Sequence, residues 1–462
     1  MSYERAVARI YALGHELAQT PSHKFDLAHM RVLLAALGEP HKRFPGVLIA
    51  GTNGKGSTAA TLAAIGNAAG LRVALYTSPH LVRINERISI AGQLIDNDDF
   101  ALLHDVVERT AERLVSEGDL PWHPSFFEVL TAMAFEYFAR ARVDLAVLEV
   151  GMGGRLDATN VIEPQLSIIT DISLDHEKFL GHTVAEIAQE KVGIIRAGSP
   201  VVTLPQTPEA NDVIGRAILA QNARAVSAVP FVPPLSPAAD RTYARRARRH
   251  GWSGELREDF VSPWFSQYPL QVLGKQIMIE SPLVGRHQLR NIALAIAAAE
   301  ELKSRGFAIS AEAIERGVRE TRWPGRFQVL PATTRWPEIV LDVAHNPAGA
   351  WALRAAISAC YGERPFTIIF GAMRDKAISQ MAEILFPLSE RVIATRAENP
   401  RAASPAEIRA AAQRTGTEIV EAESVSAAFD QASKLVGGSG LMVVSGSIYL
   451  VGEAMRELNL RI

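Results

Sequence analysis

The sequence predicts an α/β protein built as two doubly wound domains. Three observations carry this. Short apolar runs bounded by Gly, Asp or Pro alternate with helical patterns, a glycine-rich loop joins one such run to a helix, and a second series of strand-like runs follows a Trp-Pro-Gly-Arg break at 323–326. Continuous apolar runs suit strands covered on both faces. Their alternation with helices is the rhythm of crossover-connected sheets.

In chain order, strands are expected at 47–50, 73–76, 145–150, 166–170 and 201–204, with helices at 58–69 and 127–139. The second series runs 339–343, 366–370, 391–395 and 441–444, with helices at 349–359 and 405–415. Pro324 and Gly325 interrupt any helix, so the domains divide as 1–323 and 324–462. The opening MSYERAVARIYALGHE carries Glu4, Arg5 and Arg9 among apolar residues and reads as an amphipathic helix, not a signal peptide.

Composition narrows the partners. At 48% hydrophobic and 21% charged residues, the chain is neither disordered nor a coiled-coil rod. A net charge of -2 gives no broad face for nucleic acid or membrane, so an anionic ligand needs a local site. The one cysteine, Cys360, excludes an intrachain disulfide and fits a reducing compartment. No apolar run approaches the roughly 18 residues of a membrane span. The expectation is a cytoplasmic monomer acting on small molecules. Residues 229–259, rich in Pro and then Arg, read as a solvated insertion or as a contact to an anionic substrate tail.

Several motifs carry chemistry. GTNGKGST at 51–58 follows an expected strand and opens a helix. Glycines let backbone N–H groups approach phosphate, and a helix N-terminus favours the anion. Lys55 would neutralise β/γ-phosphate charge, and the hydroxyl after it would reach Mg²⁺. The spacing departs from the usual phosphate loop, because Gly56 stands between Lys55 and Ser57. The plainer alternative is a glycine turn without a ligand.

Glu149 ends an apolar strand, where a carboxylate can hold Mg²⁺ or merely aid solubility. His176, in DISLDH, also follows a strand, and is a ligand or a surface residue. Lys191 shares a helical face with Val184, Ile187, Ala188 and Ile195. An inward lysine has a lowered pKa and a neutral amine that can take up carbon dioxide as a carbamate, whereas a snorkelling one does neither. Asp342 and His345, in DVAHNP, could bind ribose or a base, or cap the following helix. GRHQLRN at 285–291 reads as a helix start.

Together these motifs resemble the folylpolyglutamate synthase/dihydrofolate synthase family of the Mur ligase superfamily. GTNGKGST, TSPHL with ERI, LEVGMGGRLDATN, DH with LGHT, EKVGI, GRHQLRN, WPGRF, DVAHNP and GSIYLVGE occur in that order over most of the chain. The resemblance implies a larger N-terminal P-loop ATPase domain and a smaller C-terminal Rossmann-like glutamate-ligase domain. It implies an ATP-dependent amide ligase that activates a substrate carboxylate as an acyl phosphate and joins it to L-glutamate.

By matching position, Gly54, Lys55, Gly56 and Ser57 would hold the triphosphate. Ser57, Glu149 and His176 would form the metal set, with two magnesium ions in all. Lys191 would be carbamylated, and with His176 and Lys55 would make up the catalytic group. Asn291, Arg326, Asp342 and His345 would contact ATP. The pterin would lie near Lys24, Phe25 and Asp26, near Ser125, Phe126, Phe127 and Glu128, and near Leu156, Asp157 and Ala158. Val343 stands where the family has Gly, and Val192 where it has Ala. The leading expectation is a bifunctional enzyme acting on dihydropteroate and folate, with either single activity as the alternative. A P-loop nucleotide switch is the reading from another class.

Overall fold

The computed structural model describes residues 1–14, 27–234, 243–245, 264–436 and 440–460. It divides into two compact units. One is Met1–Val232 with Gln271–Ile277 and Arg290–Val318; the other is Pro233–Leu270 with Met278–Leu289 and Arg319–Ile462. No single break in the chain separates them.

The first unit holds an eight-stranded sheet. Its strands are β1 (Gly46–Ala50), β2 (Val73–Tyr76), β3 (Ile88–Ile90), β4 (Gln93–Leu94), β5 (Leu145–Glu149), β6 (Pro164–Ile169), β7 (Pro200–Thr203) and β8 (Arg224–Ser227). The order is β4-β3-β2-β5-β1-β6-β7-β8. Neighbours from β2 to β8 are parallel, and β3 and β4 add an antiparallel edge. β1 and β5, GVLIA and LAVLE, are buried along their whole length, which suits strands covered by helices on both faces.

Strand order locates the site. From β1 the chain runs through helix Lys55–Ala68 to β2 on one side, and from β6 it runs to β7 on the other. β1 and β6 are neighbours, so the chain leaves their carboxyl ends in opposite directions. Such a topological switch point opens the crevice in which doubly wound sheets bind ligands.

The three-stranded sheet comprises β9 (Tyr243–Arg245), β10 (Trp264–Val272) and β11 (Lys275–Ser281). Most of the 229–259 segment lies outside the described residues. The second unit holds β12 (Gln328–Leu330), β13 (Glu338–Leu341), β14 (Thr367–Phe370), β15 (Arg391–Ala394), β16 (Ile419–Glu421) and β17 (Leu441–Ser445). Their order is β12-β13-β17-β14-β15-β16, parallel except for β12. All nine expected strands are present within two residues at either end.

Three helix expectations need correction. The helix after the phosphate loop begins at Lys55 rather than Thr58, because Gly54 caps it at φ 90°. The helix expected at 405–415 ends at Ala411, and Gln413–Thr415 form a separate 3₁₀ turn. The helix carrying Lys191 spans Val184–Lys191 and stops there; Val192–Ile194 turn as 3₁₀. Ile195 is therefore buried from extended chain and not from the helix face. The N-terminal helix Tyr3–Ala12 is amphipathic as expected, burying Ala6 and Ile10. Among the described residues no helix is long and apolar enough to cross a membrane.

Candidate active site

The phosphate loop hangs on the switch point. The N–H groups of Thr52 and Asn53 both donate to the Asp171 carbonyl just past β6, at 2.9 and 3.1 Å. Thr52 Oγ1 donates to Ser173 O at 3.0 Å and accepts from Ser173 N at 3.1 Å. The loop is thereby stitched to the 171–173 segment. Gly54 also leaves room for a neighbour: a Cβ there would stand 2.1 Å from Asn291 Oδ1. The first helical turn carries Lys55, Gly56 and Ser57, and Ser57 is 3% exposed. Amides of a first turn have no intrahelical partner, so they suit a phosphate. Lys55 Nζ lies back over the loop, donating to Thr52 O at 3.2 Å.

Lys191 is 4% exposed and donates from Nζ to Gly51 O at 2.8 Å. The glycine loop of GMGGRLDATN seals it in. A Cβ on Gly154 would meet the carbonyls of Glu190 and Lys191 at 2.9 Å, so only glycine lets that loop close on the helix end. Burial, helped by the Lys55 charge, pushes the Lys191 amine down to about 7, against the opposing pull of Asp175 and Asp157. The inward reading holds and the snorkelling one does not.

Glu149, 4% exposed at the end of β5, accepts from Ser78 N at 3.2 Å. Ser78 was not singled out by sequence reasoning, although TSPHL contains it. His176 caps a short helix at φ 53°, and its N–H donates to Asp175 Oδ1 at 2.8 Å. Among the described residues no group of three or more His, Cys, Asp or Glu converges to hold a metal by itself. The Ser57 hydroxyl and Glu149 carboxylate are hard oxygen donors. That chemistry fits a magnesium ion whose remaining ligands are phosphate oxygens and water.

Ser125 and Glu128 form a reciprocal capping box at the start of helix Phe126–Ala141, with Glu128 Oε2 accepting from Ser125 N at 2.8 Å and Oγ at 2.6 Å. Phe126 is buried, and the Phe127 ring lies over Gly151 and near Tyr76. Asp157 is buried and accepts from the N–H groups of Gly151, Met152 and Thr159 and from the Thr159 hydroxyl. Its carboxylate is thus spent on shaping the 151–159 loop, with Leu156 half-buried and Ala158 buried beside it. Lys24, Phe25 and Asp26 lie outside the described residues.

A polar cluster missed by sequence reasoning abuts Phe126. The Arg87 guanidinium lies 5.3 Å from its ring centroid, and Tyr11 packs against the same ring. Arg87 Nε donates to His80 Nδ1 at 2.9 Å, and His80 Nε2 is 3.1 Å from the Tyr11 hydroxyl. Because guanidinium only donates, Nδ1 is bare and Nε2 carries the proton. His80 is held neutral, its pKa well below 6.5, by burial and then by Arg87.

The sign follows from linkage. The unfolded chain protonates His80 near pH 6.5 and the folded one does not. Its contribution to stability is therefore present above 6.5 and lost as pH falls toward the lower folded value. His80→Asn keeps an oxygen acceptor for Arg87 and does not titrate. Thermal melts should show a shallower acid-side loss for this variant below pH 6.5 than for wild type; parallel curves contradict the assignment.

In the second unit, Asp342 follows β13 and is buried. Its carboxylate accepts from Phe327 N at 2.8 Å and Ala344 N at 2.9 Å. Burial raises its pKa, and the Arg326 charge opposes the shift. Arg326 lies 5.9 Å from the Trp323 ring centroid. His345 Nδ1 donates to Val343 O at 3.0 Å. Asn346, not Asp342 or His345, caps helix Pro347–Tyr361, which corrects the capping alternative for those two residues.

Residues 49–299 match the Mur ligase middle domain, and residues 325–448 match the Mur ligase glutamate ligase domain. Fold and site thus define an enzyme of the Mur ligase class. The folylpolyglutamate synthase of Lacticaseibacillus casei is 36% identical over 389 residues, covering 83% of each chain. The dihydrofolate synthase/folylpolyglutamate synthase of Bacillus subtilis (strain 168) is 32% identical over 438 residues, covering 94% of this chain and 95% of that one. A solved Mycobacterium tuberculosis folylpolyglutamate synthase complexed with ADP and AMPPCP superposes with a TM-score of 0.82 at 32% identity, covering 99% of both chains. The chain belongs to the folylpolyglutamate synthase/dihydrofolate synthase family of ATP-dependent ligases.

Proposed function

We propose that this protein adds L-glutamate to dihydropteroate and also to reduced folate, extending the latter as a poly-γ-glutamate tail, with each bond made through an acyl phosphate. The observation that carries this is the phosphate loop fixed at the β1/β6 switch point, with buried Lys191 against its first carbonyl. A carboxylate oxygen of the acceptor attacks the γ-phosphorus of ATP, and ADP leaves. The amine of glutamate then attacks the acyl carbon, loses a proton, and expels inorganic phosphate.

Gly54, Lys55, Gly56 and Ser57 hold the triphosphate in this reading, and Lys55 balances charge on the transferring group. Asn291, Arg326, Asp342 and His345 serve the nucleotide. Ser57, Glu149 and His176 would hold one of two magnesium ions, which would supply positive charge at the phosphate oxygens. Ser125, Phe126, Phe127, Glu128, Leu156, Asp157 and Ala158, together with Lys24, Phe25 and Asp26, serve the pterin, with the Asp157 carboxylate also shaping the loop that carries its two neighbours.

Lys191 acts as a carbamate. With its amine at about 7, a large fraction is neutral at neutral pH. The neutral nitrogen bonds to the carbon of carbon dioxide and releases one proton. The carbamate nitrogen retains one N–H, enough to keep its bond to Gly51 O. The proposed working form is a cytoplasmic monomer whose functional domains are 1–323 and 324–462.

Mass spectrometry of products tests the substrates. With ATP and glutamate, dihydropteroate should gain one glutamyl unit and a reduced folate should gain one or more. Extension of the folate alone, or of dihydropteroate alone, would reduce the proposal to a single activity.

A further inference from the structure

Four hydrogen bonds gather at Arg290, a residue that no role in the proposed chemistry uses. Its Nε lies 3.2 and 3.0 Å from Asp171 Oδ1 and Oδ2, and its Nη2 lies 2.6 Å from Oδ1 and 3.0 Å from Pro205 O. Asp171 is the residue whose carbonyl receives the amides of Thr52 and Asn53. The backbone on either side of it is braced as well. Gln206 donates from Nε2 to Thr170 O at 3.2 Å and accepts at Oε1 from Ile172 N at 3.0 Å. Thr170 N donates to Ala50 O at 2.8 Å. Asp171 is therefore fixed through its neighbours and through its side chain, and it passes that placement to the phosphate loop.

The next residue on the same helix completes the frame. Asn291 lies over Gly54, and its carbonyl accepts from Thr58 Oγ1 at 3.4 Å. Helix Arg286–Ser304 thus reaches the phosphate loop twice: through Asp171 at the loop's start and through Asn291 at its end.

We propose that Arg290 is a positioning residue for nucleotide binding: its bidentate pair with Asp171 sets the height and orientation of the phosphate loop. The proposal rests on the reading of residues 51–58 as the triphosphate site. The pair is partly exposed, at 31% and 36% for the two side chains. Pairs that exposed add little to global stability. Bidentate Arg–carboxylate geometry nevertheless fixes two groups in register, and a lysine cannot reproduce it. Misplacing loop amides by a fraction of an ångström weakens phosphate binding while leaving the core untouched.

Direct binding of a fluorescent MgATP analogue to the full chain tests this, alongside steady-state KM values for acceptor and glutamate. Arg290→Met should raise the nucleotide Kd about tenfold, the scale of one lost charge-assisted bond. The KM values for acceptor and glutamate and the melting temperature should change little. Arg290→Lys, which keeps the charge without the fork, should fall between wild type and Met. Asp171→Asn leaves the carbonyl in place but breaks the pair, so Asp171→Asn with Arg290→Met should be no worse than Arg290→Met alone. An unchanged nucleotide Kd, an equal weakening of all three substrates, or additive losses in the double variant would overturn the proposal. Because nucleotide binding is read without ligation, a wild-type chain that binds MgATP but makes no glutamyl product would defeat the ligase reading and leave this test standing.

Discussion

Lys191→Ala is expected to lose ligation almost completely, and short carboxylic acids in the buffer are expected to restore part of it. The side chain is 4% exposed and its amine sits at about 7, so the native residue can be neutral where most lysines are ions. Only a neutral amine forms a carbamate, and the carbamate's negative charge needs a nearby cation, which Lys55 supplies. Truncation leaves a space that a small carboxylate can fill. Lys191→Arg should be inactive and beyond rescue, because guanidinium keeps its charge and cannot take up carbon dioxide. The pH dependence has a definite sign. Below about 7 the amine is increasingly an ammonium, so enzyme stripped of carbon dioxide should recover with bicarbonate above that value and progressively less below it. An active Lys191→Arg enzyme would refute the carbamate.

Lys55→Ala and Ser57→Ala should each cut turnover by at least about a hundredfold, the scale of losing one charge-stabilising group. Neither residue belongs to the apolar core. Lys55 is the first residue of its helix and contacts the loop through one bond to Thr52 O, while Ser57 sits on the first turn. The folded state should therefore survive, with circular dichroism and melting temperature close to wild type. Near-normal turnover in either variant would remove the phosphate-loop assignment.

What was legible in the sequence was what repeats or clusters locally. Central strands of the two larger sheets, such as β1, β5 and β17, are continuous apolar runs, and GTNGKGST and DVAHNP each gather their polar groups within a few residues. Lys191 was legible because three apolar residues share its helical face, although the pattern ran past the true end: Gly193 packs on Arg155 and the helix gives way at Val192. What stayed hidden depends on long-range pairing. Arg290 and Asp171 are separated by 119 positions, and each looks ordinary in its own motif. His80 and Arg87 are close in sequence, but the ring under Arg87, Phe126, comes from a later helix, and Tyr11, which reaches His80, from an earlier one. Strands of two or three residues, such as β3, β4 and β12, are too short to show a period. The two compact units also interleave along the chain, which no single composition break could reveal.

The central claim is that the acceptor carboxylate is phosphorylated by ATP before glutamate attacks. Acceptor labelled with ¹⁸O in the reacting carboxylate tests it most directly, with the inorganic phosphate analysed by mass spectrometry. An acyl phosphate requires one carboxylate oxygen to leave with phosphorus, so each ligation should yield one singly labelled phosphate, and no labelled phosphate should form without acceptor. Unlabelled phosphate, released at the same rate whether or not acceptor and glutamate are present, would instead mark a nucleotide hydrolase and contradict the account.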